Sequence, residues 1–369
     1  MPIDQHEVPQ LLKFQDITRN TERDMVNRPA QVIIKNSFGL LSPSLLTLHQ
    51  MCKEIAAQKY SVRFIQVRRG VRSYARPIAQ TLRFFRCVRH VLKVRALDER
   101  YTFGPYLNTV REAFKEHRLQ IEPFEFRGPD TWENDRGMTH AEIFNVLVDH
   151  VAKIFSTKTF REDLRSQERN ANRNEIAGLL LEAKAFEDER QCLVLTMHFG
   201  YDEQHRSRAT LQQLQQDRKR FFNNRRSNEV LREIVKYIWT VEHGDETGLH
   251  LSVIFICHLC ARSESGLAEF IGSYWNKLTA EKGAWWPSNV ERIISDKKYI
   301  YIRCSGLVDR DDEEKRKALR MTIRFTAQKN LFLKLVGDTR FKQFGTSALL
   351  PNRQSPSHDV VVSSNMGTA

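Results

Sequence analysis

The residues of this chain whose types and spacing could do chemistry lie on either side of a polar turn centred near Asp245. Glu242 precedes the turn and His250 follows it, while His198 lies near the end of an earlier strand-like segment. Two imidazoles and a carboxylate are ligands that suit a divalent cation, for which we consider Mg²⁺ or Mn²⁺. A cation held by them could polarise a phosphodiester bond and stabilise the charge that develops on it.

The elements that must position these residues follow a βαββαβ order in the second half of the chain. The predicted elements are strand Gln191–Phe199, helix Arg208–Ile234, strands Val235–Glu242 and Leu249–Cys257, helix Gly266–Leu278 and strand Lys298–Cys304. This order is the ferredoxin-like pattern, and a further helix runs from near Asp311 to Leu335. We therefore predict an α+β fold, with a helical N-terminal region, a ferredoxin-like antiparallel sheet and an extra C-terminal helix.

In a ferredoxin-like sheet the third strand lies between the first and the second and runs antiparallel to both. His198, Glu242 and His250 would then meet at one end of the sheet. The alternative is that each is an ordinary solvated or hydrogen-bonded residue, because a one-residue slip in register turns a side chain to the opposite face.

A strongly basic segment lies in the first half, where no Asp or Glu occurs between Ile55 and Leu97. The residues that we predict to contact nucleic acid there are Arg68, Arg69, Arg72, Arg76, Arg83, Arg86, Arg89 and Lys93. Spacings of three and four residues predict one basic face on two helices that Pro77 separates. A phosphate backbone would relieve the repulsion between these charges. The alternative is a solvated face balanced by acids elsewhere, such as Glu182, Glu187 and Glu189.

Length, composition and charge favour a two-domain globular protein with a polyanionic partner. The chain has 369 residues, of which 41% are hydrophobic, and a formal net charge of +13. No apolar run approaches the roughly 20 residues of a membrane-spanning helix. The N-terminus carries no secretory signal, so we expect a cytoplasmic protein without a membrane partner. The predicted divisions are an N-terminal arm (1–39), a helical arginine-rich region (40–188), the sheet domain (189–345) and a disordered tail (346–369).

The C-terminal half, roughly Gln191 to Gly345, resembles the YagK/YfjJ C-terminal domain family, which includes the inovirus-type replication initiators. The segments that carry the resemblance are Asp217–Asn228, Tyr237–Gly244, Gly248–Ser252, Ile271–Trp275, Ser305–Asp312 with Lys315 and Arg316, and Phe325–Leu335 leading to Phe344 and Gly345. The resemblance implies a rolling-circle initiator of the HUH type. In that type, two histidines separated by one hydrophobic residue hold a divalent metal. A tyrosine on a later helix attacks the DNA, and a lysine follows it three residues later.

This sequence departs from the family pattern at most of its chemical positions. The first histidine matches His250, but Ser252 stands at the second and Phe325 at the tyrosine position. Gln328 stands at the lysine position, and Phe332 replaces a further tyrosine. A phenylalanine has no hydroxyl and cannot form a phosphoester. The resemblance therefore implies an initiator-like sheet that has lost covalent nicking.

The function that these features favour is DNA binding, to single-stranded or replication-origin DNA, on behalf of a phage or prophage-like element. Trp285 and Trp286, in a predicted loop, are candidate stacking platforms for bases, with core packing as the alternative. A second function is an active metal-dependent nickase with a non-standard nucleophile. Its candidate nucleophiles are Tyr237, Tyr274, Tyr299 and Tyr301. A third is a regulatory factor that binds proteins.

Overall fold

The computed structural model describes residues 37–57, 62–93, 101–119, 125–224, 228–244, 247–259, 262–287, 305–328, 333–335 and 341–348. Helices and strands are mixed, and the largest sheet has several antiparallel strands, so the α+β class is confirmed. Within these ranges, buried side chains form one apolar core in the N-terminal region and two cores around the C-terminal sheet.

The N-terminal region is built from helices with short strands between them. Its elements are α1 (Ser37–Ala56), β1 (Phe64–Arg69), β2 (Arg72–Pro77), α2 (Thr81–Lys93), β3 (Tyr101–Phe103), α3 (Pro105–Glu116), β4 (Trp132–Glu133), β5 (Met138–Thr139) and α4 (His140–Phe155). Its core is rich in phenylalanine. The ring of Phe85 makes edge contacts with Phe64, Phe126 and Phe144, at centroid distances of 5.5, 5.1 and 5.7 Å. Such edge-to-face packing is favourable for aromatic rings and fixes how α2 lies on β1 and α4.

The first part of the basic segment is a β-hairpin, so the prediction that a helix carries Arg68, Arg69, Arg72 and Arg76 is wrong. β1 and β2 pair antiparallel, and a two-residue turn, Gly70 and Val71, joins them. Gly70 has φ +62°, a backbone conformation that glycine adopts without steric cost and that a two-residue hairpin turn needs. The arginine spacing fits a helix, but the turn and the apolar and aromatic residues of the two strands favour pairing.

The second part of the basic segment is helical, as predicted. α2 buries Phe84, Phe85, Val88 and Val91 against the N-terminal core. The arginines of the helix, Arg83, Arg86 and Arg89, are exposed on the opposite side. The helix is therefore amphipathic, and its solvent face is basic.

The C-terminal region is a six-stranded sheet with helices on both faces. Its elements are β6 (Gln191–Tyr201), α6 (Leu211–Asn223), α7 (Glu229–Arg232), β7 (Ile234–Gly244), β8 (Gly248–His258), α8 (Glu264–Leu278), β9 (Gly283–Pro287), β10 (Gly306–Asp309), α9 (Glu313–Gln328), β11 (Leu333–Leu335) and β12 (Phe344–Thr346). The strand order is β10-β6-β8-β7-β12, every neighbouring pair is antiparallel, and β9 pairs with the far end of β6.

The three long strands of this sheet confirm the predicted ones, which β6, β7 and β8 extend by one or two residues at their ends. The predicted strand Lys298–Cys304 lies outside the described residues. The predicted helix Arg208–Ile234 is instead two shorter helices, because asparagine at its middle favours a helix end over a helix interior. The last predicted helix ends at Gln328, and β11 follows it.

Successive side chains of the long strands point to opposite faces of the sheet and belong to two separate cores. Leu251, Val253 and Phe255 of β8 face the core that α6 and α8 cover. Ile254 and Ile256 face the opposite core, beneath α9 and a long helix, α5 (Lys158–Asp188). Because a strand has a side-chain period of two, this burial on both faces fixes the register of the sheet.

Among the described residues, α5 and the pairing of β11 with β3 connect the N-terminal region to the sheet. α5 has 31 residues, which at the usual helical rise is about 46 Å. Phe160, near its start, belongs to the N-terminal core, while Leu181 and Phe186, near its end, pack on the sheet. The other connection is the pairing of β11 with β3, through which the chain after α9 returns to the N-terminal region.

We predict that Gly178→Ala loosens the packing of α9 on α5. A Cβ at Gly178 would lie 2.5 Å from Cγ2 of Ile323, so one helix must shift. We expect a loss of about 1–3 kcal/mol in the free energy of unfolding from overpacking, against about 1 kcal/mol gained from helix propensity. The measurement is urea unfolding followed by circular dichroism. Gly266→Ala in α8 is the control, since a Cβ there meets only the Ser263 hydroxyl, at 3.2 Å; equal effects of both changes would contradict the close packing.

Candidate functional site

The sheet brings His198, Glu242 and His250 together at one end, on the face that α5 and α9 cover. Glu242 of β7 lies opposite His250 of β8, and His198 of β6 lies opposite Ser252. Glu242 Oε2 is 3.9 Å from Nε2 of His250, and the ring centroids of the two histidines are 5.5 Å apart. The side chains that could share a cation are therefore neighbours.

The ring of His250 is oriented by the start of its own strand. Its Nδ1 lies 3.0 Å from the carbonyl oxygen of Gly248 and 3.3 Å from the Thr247 hydroxyl. A carbonyl oxygen can only accept a hydrogen bond, so Nδ1 donates the proton. Nε2, which is directed toward Glu242, is the nitrogen left to bind a proton or a cation.

Trp286 of β9 closes this end of the sheet. Its indole stacks on His198 at 5.5 Å and 16° and lies 5.2 Å from the ring of His250. The exposed fractions of His198, His250 and Trp286 are 1%, 0% and 5%. Gly200 allows this packing, because a Cβ there would lie 3.1 Å from Cβ of His250 and 3.4 Å from the indole. The histidines are thus packed as core residues.

The three residues of the predicted metal site lie close together, but their side chains are not arranged to hold a cation. Within the described ranges, no group of three or more His, Cys, Asp or Glu side chains is arranged to hold a metal ion. Binding of Mg²⁺ or Mn²⁺ at His198, Glu242 and His250 stays a hypothesis that requires these side chains to rearrange.

The two tryptophans predicted to be stacking platforms do not lie in a loop. Both belong to β9, whose pairing with β6 could not be anticipated because it joins segments distant in the sequence. Trp286 is buried and offers no face to a base. Trp285 is half-buried against α8, where a Cβ at Gly272 would lie 2.0 Å from its indole. Trp239 and Trp275 are buried in the core.

The resemblance places a nucleophile and a lysine on the helix α9. This helix packs on the face of the sheet that carries the histidines. Gln328, at the lysine position, is buried and donates a hydrogen bond to the carboxylate of Glu175 on α5. Arg324 lies 3.0 Å from the other oxygen of that carboxylate. The side chain of Phe325 lies outside the described residues. Gln328 is therefore engaged in helix packing.

The tyrosines of the sheet region lie on the wrong face for attack near the histidines. Tyr237 stacks on Phe222 at 3.9 Å, and both belong to the core under α6 and α8. Tyr274 belongs to the same side, and so does Tyr201, whose hydroxyl donates to Asp217 at 2.6 Å. Burial and this acid raise the pKa of Tyr201. The other two candidate nucleophiles, Tyr299 and Tyr301, lie outside the described residues.

A second candidate site is a surface formed by exposed arginines of the hairpin and α2. We call it the basic surface, and its members are Arg68, Arg69, Arg76, Arg83, Arg86 and Arg89. Within the described part of the chain, none of them forms an ion pair with an acid. The side chains of Arg72 and Lys93, which were predicted with them, lie outside that part.

The three acids proposed as counter-charges for these arginines are engaged elsewhere. Each pairs with a basic residue of the C-terminal region: Glu182 with Arg316, Glu187 with Lys184, and Glu189 with His258. They do not neutralise the basic surface, so that form of the solvated-face alternative is wrong.

Sequence reasoning missed the residues that hold the hairpin in place. The side chain of Asn145 on α4 donates to the carbonyl of Phe64 and accepts from its N–H, both at 2.8 Å. Asp130 accepts from the N–H of Ala75 at 2.6 Å. The alternating residues on either side of Gly70 could have indicated the hairpin, but no local signal indicates these long-range partners.

Comparison with known proteins finds no matching family model, no matching curated protein and no matching solved structure. The resemblance to the initiator family therefore rests on the quoted segments alone. No helix among the described residues has the length and apolar character needed to cross a membrane.

We predict that Trp286→Ala costs stability because it empties a packed space over His198 and His250. Truncating a buried tryptophan costs about 3–5 kcal/mol in the free energy of unfolding. Urea unfolding measures this loss, and Trp132→Ala is the matched control, since Trp132 is 56% exposed. If Trp286→Ala left the unfolding midpoint unchanged, Trp286 would not be the core residue described above.

Proposed function

We propose that this protein binds DNA through the basic surface, and that its C-terminal sheet is of the rolling-circle initiator type without tyrosine-dependent nicking. Such a protein would serve a phage or a prophage-like element. The observation that carries the proposal is the basic surface itself. It has six exposed arginines, none of which forms an ion pair with an acid in the described part of the structure.

Electrostatics supports a polyanionic partner for this surface. Like charges close together repel one another, and water and salt only partly screen that repulsion. A nucleic acid removes it, and binding also releases the counterions condensed on the phosphates. The net charge of +13 acts in the same direction, by favouring encounter with a polyanion.

The strand order of the C-terminal sheet supports the ferredoxin-like assignment. With β10 counted as the fourth strand, β10-β6-β8-β7 matches the 4-1-3-2 order of that pattern, and all neighbours are antiparallel. β9, which precedes β10 in the chain, pairs with the other end of β6. Three observations favour the loss of nicking: Ser252 replaces a ligand histidine, Trp286 covers the remaining histidines, and the described tyrosines lie on the opposite face.

We expect the double variant Arg83→Gln/Arg86→Gln to bind DNA more weakly and with less dependence on salt. Each lost phosphate contact should reduce the slope of log K against log salt concentration by about 0.9 for duplex DNA. Fluorescence anisotropy with a labelled oligonucleotide, between low and moderate salt, measures both quantities.

The matched control for this experiment is Arg165→Gln/Arg169→Gln, two exposed arginines on α5 among acidic neighbours. The control should bind like the wild type. A DNA interaction that is absent, or that does not respond to salt, would contradict the proposal and favour a protein-binding regulator.

The gathering of His198, Glu242 and His250 at one end of the sheet favours a second candidate, a metal-dependent nickase. These residues would hold Mg²⁺ or Mn²⁺, which would stabilise charge on the phosphodiester. Our proposal predicts neither a nicked circle nor a covalent adduct when the protein is incubated with supercoiled or single-stranded DNA and Mn²⁺. A nicked product that His250→Ala abolishes, with a matching loss of Mn²⁺ binding heat in calorimetry, would establish the second candidate instead.

A further inference from the structure

We propose that the hairpin of β1 and β2 is an arm for duplex DNA, whose tip enters the minor groove and places Val71 as a wedge against a base step. This inference rests on the proposed function, because it assumes that the basic surface binds DNA. It adds the form of the ligand, a double helix, and the element that distorts it.

The tip of the hairpin is apolar where a turn is normally polar. Val71 is 97% exposed, the largest exposed fraction among the large hydrophobic residues described. Turn positions usually carry Gly, Asn, Asp or Ser, since these adopt turn conformations and hydrogen-bond locally. Gly70 meets the conformational need, with φ +62° and no atom within 4 Å of an added Cβ. The valine therefore contributes nothing to the turn or to the core.

A single exposed valine is common on protein surfaces and would not carry the inference alone. The outer face of the hairpin supplies the second observation. Val67 lies opposite Tyr74, and Ile65 lies opposite Arg76, so these side chains share one face. Ile65 and Tyr74 are 40% and 39% exposed. Apolar groups thus lie between arginines along the whole arm.

This combination identifies the chemistry of the partner. The arginines need negative charge, which phosphates supply at regular intervals on both strands of DNA. The apolar groups need a dry surface, and sugars and unstacked base steps in the minor groove supply it. Proteins that bend DNA insert apolar side chains there between flanking basic residues.

The arm is fixed at its base and open at its tip. At the base, Phe64 and Ala75 are buried, and Asn145 and Asp130 hold their backbone groups. Each strand has six residues, so the arm is roughly 20 Å long. A rigid base lets the tip enter a groove without first being ordered, which lowers the entropic cost of binding.

Only the tip of the arm is narrow enough to fit the minor groove. The groove is about 6 Å wide, and paired strands are about 4.8 Å apart before side chains are added. Only the two-residue turn can enter it. Arg68 and Arg69, next to the turn, would then lie beside the two phosphate backbones that border the groove, and α2 would follow the adjacent phosphates.

The test compares Val71→Ser with the wild type on a 30-base-pair AT-rich duplex carrying 2-aminopurine, and on its single strand. Loss of the wedge should weaken duplex binding roughly tenfold, with single-strand binding within about twofold. The rise in 2-aminopurine fluorescence that reports an unstacked step should disappear. Ile176→Ser is the matched control, because Ile176 on α5 is a β-branched residue with 58% exposure.

Folding does not confound this comparison, because Val71 is 97% exposed and packs on no residue of the described ranges. Equal urea midpoints of Val71→Ser and the wild type would verify this. Netropsin, which occupies the minor groove, should displace the protein, whereas methyl green in the major groove should not. The arm is refuted, with DNA binding intact, if Val71→Ser behaves like the wild type on the duplex, or if methyl green alone competes. Failure of the wild type to bind either DNA at low salt would refute the proposed function itself.

Discussion

The pairing of β8 with both β6 and β7 is the interaction on which the C-terminal half depends. It sends Leu251 and Phe255 into one core and Ile254 and Ile256 into the other. A slip of one residue would exchange the two sets, so burial on both faces holds the register firmly. The position of His250 follows from that register. Its place beside Glu242 and His198 is therefore a consequence of packing and is not, by itself, a sign of catalysis.

The burial of both faces of the sheet also limits which of its side chains a substrate could reach. Helices cover both faces, and Trp286 covers the end where the histidines meet. Ser252 stands where the resemblance expects a ligand histidine, and Gln328 joins α9 to α5 through Glu175. The surface left for a partner is the basic surface of the N-terminal region, whose exposed arginines form no ion pair with an acid among the described residues.

The sequence predicts well those elements that local pattern and burial determine together. The long strands are near-continuous apolar runs, so their bounds are predicted to within two residues at each end. For the segment after Pro77 the arginine spacing predicts a helix, whose bounds, Thr81–Lys93, come from the structure. The spacing of four residues between Arg68, Arg72 and Arg76 predicts a helix, whereas Gly70, at φ +62°, places a hairpin turn between Arg68 and Arg72. The burial of Trp286 depends on β9 pairing with β6, which no local pattern contains. The closing of the histidine site was therefore beyond sequence reasoning.

The hairpin and α2 have two features that are unfavourable in the free protein, namely charge repulsion and exposed apolar surface. Unneutralised arginines such as Arg69 and Arg76 repel one another, and Val71 and Tyr74 expose apolar surface to water. Neither the repulsion nor the exposed apolar surface stabilises the free protein. The base of the hairpin is held by Asn145 and requires neither feature. An acidic protein surface would relieve the repulsion between the arginines, and an apolar protein surface would cover Val71 and Tyr74. A DNA groove relieves both at once, because its phosphates border a surface of sugars and base edges. That coincidence is the reason for proposing duplex DNA as the partner of the arm.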